Sequence, residues 1–175
     1  MARQFERYEV DSHAYHQDAL TKPCFVCGIV ARRPDHPAHI VYEDADTIAF
    51  LDKHPKFYGY TLVAPRDHRT QVIGDFTRDA YLTLQHRVYD VADAIQQEVG
   101  AERMYLLCLG RNQGDAHVHW HVAPLPPYVP YMDQGIAVYR NSLVLNIPAA
   151  EQAALAARLR HRLGYIGNNE PATNV

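Results

Sequence analysis

The feature that most constrains this chain is a strict alternation of histidine with apolar residues over positions 117–123, in the order His-Val-His-Trp-His-Val-Ala. Side chains on a β-strand point alternately to its two faces, so a period of two predicts a strand. His117, His119 and His121 then share one face, and the Val and Trp residues between them form the face that we expect in the core. Three imidazoles on one rigid face can bind a metal or a phosphate, or attack an electrophile. A polar strand face without a role is the plainer alternative.

The rest of the chain carries both helical and strand-like periodicities. Apolar residues at spacings of three and four predict a long helix over 77–99, which Gly100 ends. A second helix is predicted over about 149–163. Further strand-like runs occupy 39–43, 47–51, 59–64 and 104–109. A hairpin, a strand, a long helix and two more strands predict an α+β fold around an antiparallel sheet.

Composition limits the classes of function. The 175 residues are 47% hydrophobic and 21% charged, as in an ordinary globular protein, and the formal net charge is -3. Interspersed charges of this kind do not favour sequence-independent binding to nucleic acid, which requires clustered positive charge. No stretch resembles a signal peptide or a membrane span, so we expect a cytoplasmic protein that has no membrane partner.

Three cysteines are a poor basis for disulfides, but two of them form a C-x₂-C pair, Cys24 and Cys27. This spacing occurs in zinc sites and in redox motifs. Zinc needs four ligands, so the pair alone does not establish a site, and two reduced, unliganded thiols are the alternative. A redox role is disfavoured because the pair does not open a helix within a βαβ pattern. Cys108 lies in an apolar run and is expected to be a buried thiol.

The spacing of the histidines leaves two chemical interpretations open, a catalytic metal site or a nucleophilic histidine with supporting neighbours. The surrounding residues favour the second. The run His117–Pro124, HVHWHVAP, resembles the signature of the histidine triad (HIT) family of nucleotide hydrolases and transferases, and Val41–His68 resembles that family in order and spacing. The resemblance covers about residues 24–127.

The resemblance implies a HIT-like α+β fold, with an antiparallel sheet of about five strands, one long helix packed on it and a C-terminal helix. It also implies a reaction at a nucleotide α-phosphate in which His119 is the nucleophile and His121 contacts the phosphate, with His117 beside them. No catalytic metal is required in this family. Relatives usually form homodimers through the long helix and a sheet edge.

The resemblance also assigns binding residues. Asp52 matches the aspartate that accepts hydrogen bonds from the ribose hydroxyls, and Phe50 matches a position that packs against the base. Asn112 lies where relatives keep an asparagine near the phosphates. The segment between Asn112 and His117 is shorter than in many relatives and lacks their Gly-Gln-Ser element, so Gln113 or backbone amides are expected to replace those phosphate donors.

In bacterial relatives with the N-terminal cysteine pair, a structural zinc is held by four side chains. The matching residues here are Cys24, Cys27, His68 and His117. The implied division of the chain is a polar lead-in over 1–22, a HIT domain over 23–127 and a C-terminal extension over 128–175.

Two other functions remain open on the sequence. One is a nucleotide-binding module with little turnover, which the short segment before the triad favours. The other is a metalloenzyme that uses the triad itself as a catalytic metal site. The nucleotide conjugate cleaved by a HIT enzyme could be a dinucleoside polyphosphate, a nucleoside phosphoramidate or an adenylylated molecule.

Overall fold

The computed structural model describes residues 4–110, 115–135, 137–140 and 142–164. A short 3-10 turn lies at Tyr131–Asp133. The strands are β1 (Arg7–Glu9), β2 (Ile40–Glu43), β3 (Thr47–Leu51), β4 (Thr61–Pro65), β5 (Arg103–Cys108), β6 (Trp120–Leu125) and β7 (Leu143–Leu145). The helices are α1 (Ser12–Thr21), α2 (Phe25–Val30), α3 (Arg78–Val99), α4 (Ala137–Arg140) and α5 (Ala149–Arg162).

Five strands form one antiparallel sheet in the order β2-β3-β4-β6-β5. Its two faces are covered by two separate apolar clusters. One cluster joins β6 to the long helix α3 and the C-terminal helix α5, and the other joins the sheet to α2. The predicted α+β fold, with a five-stranded antiparallel sheet, one long helix packed on it and a C-terminal helix, is therefore confirmed.

Helix α3 forms where the sequence predicts it, because the capping residues and the apolar face mark the same segment of the chain. The Thr77 side chain accepts a hydrogen bond from the Ala80 N–H group at the N-terminus. At the other end Gly100 has a φ of 67°, the left-handed conformation that glycine adopts without strain. The buried residues recur at helical spacing and are Leu84, Val88, Val91, Ala92, Ala94 and Ile95.

The predicted histidine strand begins later than its alternation suggests. Strand β6 starts at Trp120, so of the three histidines only His121 lies within the ladder. Before that point the Val118 N–H group bonds to the Arg69 carbonyl instead of to a neighbouring strand. The predicted apolar face is buried nonetheless, with Val118 2% and Trp120 6% exposed. The prediction of a strand from residue 117 was wrong for its first three residues.

One other expectation needs correction. Cys108 is half-buried, not buried, because it ends β5, the outermost strand of the described sheet on that side.

The polar lead-in contains a short strand and a helix, and β1 pairs antiparallel with β7 from the C-terminal extension, with Tyr8 opposite Val144. Neither three-residue strand is long enough to produce a recognisable period. Among the described residues, no helix is long and apolar enough to cross a membrane.

Candidate active site and metal centre

The two cysteines lie at the start of α2, facing the segment that carries the histidines. Cys24 is the N-cap residue of this helix, and its Sγ accepts a hydrogen bond from the Cys27 N–H group. The Cys24 Sγ lies 3.4 Å from His117 Nδ1, and the Cys27 Sγ lies 3.3 Å from His68 Nδ1 and 3.6 Å from His117 Nδ1. One ligand atom from each of the four residues lies within 4.8 Å of the other three. We call these four residues the Cys/His cluster.

The donor set and spacing of the Cys/His cluster fit a tetrahedral zinc ion. Zinc bonds of about 2.3 Å to sulfur and about 2.0 Å to nitrogen place tetrahedral ligand atoms roughly 3.6 Å apart. The sulfur–nitrogen distances here are 3.3–3.6 Å. Burial, followed by the neighbouring Cys24 thiol, raises the pKa of Cys27 to about 11. A divalent cation would reverse this effect by stabilising the thiolates.

His117 is oriented by a backbone carbonyl. Its Nε2 lies 2.9 Å from the Pro65 carbonyl oxygen, which can only accept, so Nε2–H is the donor and Nδ1 keeps its lone pair. That lone pair faces the two sulfurs. Burial lowers the pKa of His117 to about 4, so the ring is neutral at physiological pH and suited to bind a metal.

His119 has the opposite arrangement. Its Nδ1 lies 2.7 Å from the His117 carbonyl oxygen, so Nδ1–H donates and Nε2 carries the lone pair. The side chain is 5% exposed. Because a neutral imidazole nitrogen is nucleophilic without prior deprotonation, this ring is prepared to attack an electrophile through Nε2.

His121 is held by a tyrosine. The Tyr60 hydroxyl lies 2.9 Å from His121 Nδ1. Burial raises the pKa of Tyr60 far above its ordinary value, so the hydroxyl stays protonated, and burial followed by nearby His119 lowers the pKa of His121 to about 3. When the Tyr60 hydroxyl donates to Nδ1, the neutral His121 ring carries its proton on Nε2. The rings of His119 and His121 lie 4.8 Å apart, so the nucleophile and this donor are neighbours.

The turn that carries Tyr60 is fixed by a glycine. Gly59 has a φ of 91°, and a Cβ built there would lie 2.9 Å from Val99 Cγ1 at the end of α3. A larger residue would therefore be strained in both backbone and packing. The Tyr60 carbonyl accepts a hydrogen bond from the Asp52 N–H group, which joins this turn to the end of β3. The turn thus connects His121 to Asp52.

Asp52 lies just after β3 and is half-buried. Its Oδ1 accepts a hydrogen bond of 2.6 Å from the His54 N–H group. Burial raises the pKa of the Asp52 carboxyl, and nearby His54 and His119 oppose that shift. Asp52 lies opposite Tyr60 in a continuation of the β3–β4 pairing, so its side chain is on the same side of the sheet as Tyr60 and His121. Its carboxyl group has acceptor capacity left for a ligand hydroxyl.

Phe50 is 2% exposed and belongs to the apolar cluster beneath this site. The half-buried Phe25 contacts it edge to face at 6.3 Å and contacts His119 in the same way at 5.7 Å. Phe25 thus presents an aromatic surface beside the nucleophile. Sequence reasoning missed it, although its position between the two cysteines carries it to the site.

Comparison with known proteins connects this geometry to a family. The HIT domain family model matches residues 33–127, more than half of the chain. The chain belongs to the HIT family.

Individual relatives agree with this assignment. A HIT-like protein of Methanocaldococcus jannaschii is 44% identical over 104 residues, which cover 58% of this chain and 78% of that protein. The fold is similar to a hypothetical histidine triad nucleotide-binding protein from Sulfolobus tokodaii, with a TM-score of 0.64, 26% identity and coverage of 84% and 99% of the two chains. It is also similar to a zinc-bound histidine triad protein from Mycobacterium smegmatis, with a TM-score of 0.60, 22% identity and coverage of 83% and 95%.

The HIT resemblance stated from the sequence is thus confirmed, and membership supports a nucleotide-binding hydrolase or transferase in general terms. The structure brings the triad, the cysteine pair, His68 and Asp52 to one side of the sheet. Asn112 and Gln113 lie outside the described residues. The HIT match leaves out α1, α2 and everything after residue 127.

Proposed function

We propose that this HIT protein is a nucleotide hydrolase or nucleotidyl transferase that acts at the α-phosphate of a purine nucleotide conjugate, through a nucleotidyl-His119 intermediate. The observation that carries the proposal is the hydrogen bond from His119 Nδ1 to the His117 carbonyl, which leaves Nε2 as the nucleophilic atom. Candidate substrates are dinucleoside polyphosphates, nucleoside phosphoramidates and adenylylated molecules.

In the proposed first step, His119 Nε2 forms a bond to the α-phosphorus, and the bond from phosphorus to the leaving group breaks. The leaving group departs with that electron pair and takes a proton from the solvent. The His117 carbonyl keeps its hydrogen bond to Nδ1–H and so stabilises the positive charge that develops on the ring. His121 Nε2–H donates to a non-bridging phosphate oxygen. In the second step, water or another hydroxyl-bearing acceptor attacks the phosphorus and loses a proton to the solvent, the bond from phosphorus to Nε2 breaks, and its electron pair returns to neutral His119.

We assign the nucleotide-binding residues among the side chains that lie on the same side of the sheet as His119. We assign the ribose hydroxyls to the Asp52 carboxylate, and the purine to the aromatic surface of Phe25 above the buried Phe50. We retain Asn112 and Gln113 as the expected phosphate-side donors.

The Cys/His cluster is proposed to hold a structural zinc. Its four protein ligands would leave no open position, as in closed structural sites. The role of the cluster's own residues is to fix His117, whose backbone carbonyl orients the nucleophile. No step of the proposed reaction uses a metal. The zinc-bound relative from Mycobacterium smegmatis shares the fold.

A homodimer through α3 and the edge of β5 is the proposed assembly. Exposed apolar side chains occur on both elements: Leu82 is 48% and Tyr89 69% exposed on α3, and Leu106 is 47% exposed on β5. An exposed strand edge beside apolar side chains favours pairing with a second copy. Sedimentation at several protein concentrations measures this assembly directly.

The test of the proposed reaction is intact-protein mass spectrometry after mixing with adenosine and guanosine substrates, including a dinucleoside polyphosphate and a phosphoramidate. Samples are quenched without acid, because acid cleaves the phosphoramidate bond. We expect a nucleotidyl mass adduct on the wild-type protein, none on His119→Ala, and an adduct on His86→Ala, a matched loss of an exposed histidine of α3.

Other outcomes contradict the proposal in distinct ways. Product without an adduct, lost on chelation, would identify the triad as a catalytic metal site. Neither adduct nor product, with nucleotide binding intact, would identify a binding module.

A further inference from the structure

Helix α1 lies outside the residues that match the HIT domain, and it belongs to neither apolar cluster. Its described side chains, from His13 to Thr21, are all exposed or half-buried. Among the described residues, this helix therefore contributes no side chain to the core. A helix of this kind can change position at little cost compared with an element of the core.

The contacts of Tyr15 join two segments that flank the proposed nucleotide site. Its hydroxyl donates a hydrogen bond of 2.9 Å to Asp115 Oδ2, just before the histidine segment. Its ring packs edge to face on His54, with centroids 6.2 Å apart. The His54 backbone in turn bonds to Asp52, the proposed ribose ligand. Tyr15 therefore reaches from the ribose side of the site to the residues that precede the nucleophile.

Both ends of α1 are anchored, so the helix is a strap between two fixed points. On its N-terminal side, the Val10 N–H group bonds to the Ser142 carbonyl and β1 pairs with β7. On its C-terminal side, Cys24 begins α2 and belongs to the Cys/His cluster.

We propose that α1 is a flap over the ribose–phosphate side of the nucleotide site, and that the Tyr15–Asp115 hydrogen bond is its latch. The inference rests on the proposed function, since it assumes a nucleotide between Asp52 and His119. With the latch closed, a bound nucleotide is retained; with the latch broken, it leaves faster. One hydrogen bond to a charged group at a half-exposed site changes a rate by about 3- to 10-fold.

The test measures dissociation of a fluorescent purine nucleotide, 2-aminopurine riboside 5′-monophosphate, from the full-length protein by stopped flow. We expect Tyr15→Phe to increase the dissociation rate about 3- to 10-fold. Asp115→Ala should match it, and the double variant should show no further increase. Tyr8→Phe is the matched control, because the Tyr8 hydroxyl bonds to His54 Nδ1 from the anchored β1. It should dissociate like wild type.

Hydrogen–deuterium exchange supplies a second readout. Saturating nucleotide should slow amide exchange in α1 of the wild-type protein and should slow it less in Tyr15→Phe. Equal dissociation rates in wild type and Tyr15→Phe, with exchange in α1 unaffected by nucleotide, would overturn the flap and leave the proposed function standing. If wild type does not bind the probe while its fold is intact, both proposals fail.

Discussion

His117 and His119 are two residues apart and both buried, yet the structure prepares them for different chemistry. In His117 the Nε2–H group bonds to the Pro65 carbonyl, so the free lone pair lies on Nδ1 and faces the cysteine sulfurs. In His119 the Nδ1–H group bonds to the His117 carbonyl, so the free lone pair lies on Nε2. In each histidine, one ring nitrogen donates a hydrogen bond to a carbonyl and the other keeps its lone pair. The choice of nitrogen therefore determines whether the residue is suited to bind a metal or to act as a nucleophile.

The two regions also differ in what surrounds them. The Cys/His cluster has two sulfurs and two ring nitrogens directed at one point. In the region of His119 and His121, one ring nitrogen of each imidazole contacts an oxygen atom, the His117 carbonyl for His119 and the Tyr60 hydroxyl for His121. We therefore expect changes in the Cys/His cluster to alter metal content and stability, and changes around His119 and His121 to alter catalysis.

The largest expected effect comes from removing both sulfurs. On the proposal that the Cys/His cluster holds a structural zinc, the wild-type protein should contain zinc and the Cys24→Ser, Cys27→Ser variant should not, because the two histidines alone do not complete a tetrahedral site. Its free energy of unfolding should fall by about 5 kcal/mol or more. Elemental analysis and denaturant unfolding measure the two quantities, and Cys108→Ser, outside the cluster, should match wild type. Zinc retained by the double variant would mean that the triad itself binds the metal.

A smaller effect concerns His121 and pH. Burial, followed by nearby His119, lowers the pKa of His121 to about 3, whereas its ordinary pKa in an unfolded chain is about 6.5. The contribution of neutral His121 to stability is therefore complete above pH 6.5 and declines as pH falls from 6.5 towards 3. The glutamine in His121→Gln does not take up this proton. Between pH 6.5 and pH 3 the free energy of unfolding of the variant should therefore fall by roughly 3 kcal/mol less than that of the wild-type protein. Denaturant unfolding at several pH values measures this dependence. The same slope of unfolding free energy against pH in the wild-type protein and in the variant would refute the prediction.

The smallest effect comes from the tyrosine that orients His121. In the proposed reaction the Tyr60 hydroxyl donates to His121 Nδ1 and so keeps the ring proton on Nε2; Tyr60→Phe removes this hydrogen bond and frees the tautomer. We expect kcat to fall about 10-fold with little change in KM, since His121 acts on the charge of the transition state. Nitrogen-15 NMR should show the change of tautomer directly.

Tyr105→Phe is the control for this last experiment. The Tyr105 hydroxyl also has a protein partner, the Gly135 N–H group. Loss of this hydroxyl should leave the His121 nitrogen signals unchanged. The same spectral change in both variants would mean that Tyr60 acts through general packing and not through its hydrogen bond.

The sequence predicted those features that repeat along it. Helix α3 and the central sheet follow from spacings of three, four and two, because periodic burial leaves a periodic pattern. The four residues of the Cys/His cluster were predicted from the resemblance of the sequence to the HIT family. The roles of the individual nitrogens could not be predicted, because they depend on the positions of the Pro65 and His117 carbonyls. Phe25, Tyr60 and Tyr15 were missed for a related reason, since each acts through a contact with a residue distant in the chain.

The pairing of β1 with β7 has a practical consequence for anyone who trims this protein. A fragment cut to the HIT-matching residues 33–127 would lack both strands of the small sheet and the cysteine pair. A fragment that lacks only the first 22 residues would remove β1, the strand partner of β7, while the Leu145 N–H group would keep its hydrogen bond to the Pro55 carbonyl. The exposed Leu143 would then lie at an unpaired strand edge, which favours intermolecular association. The two extensions are therefore best kept or removed together.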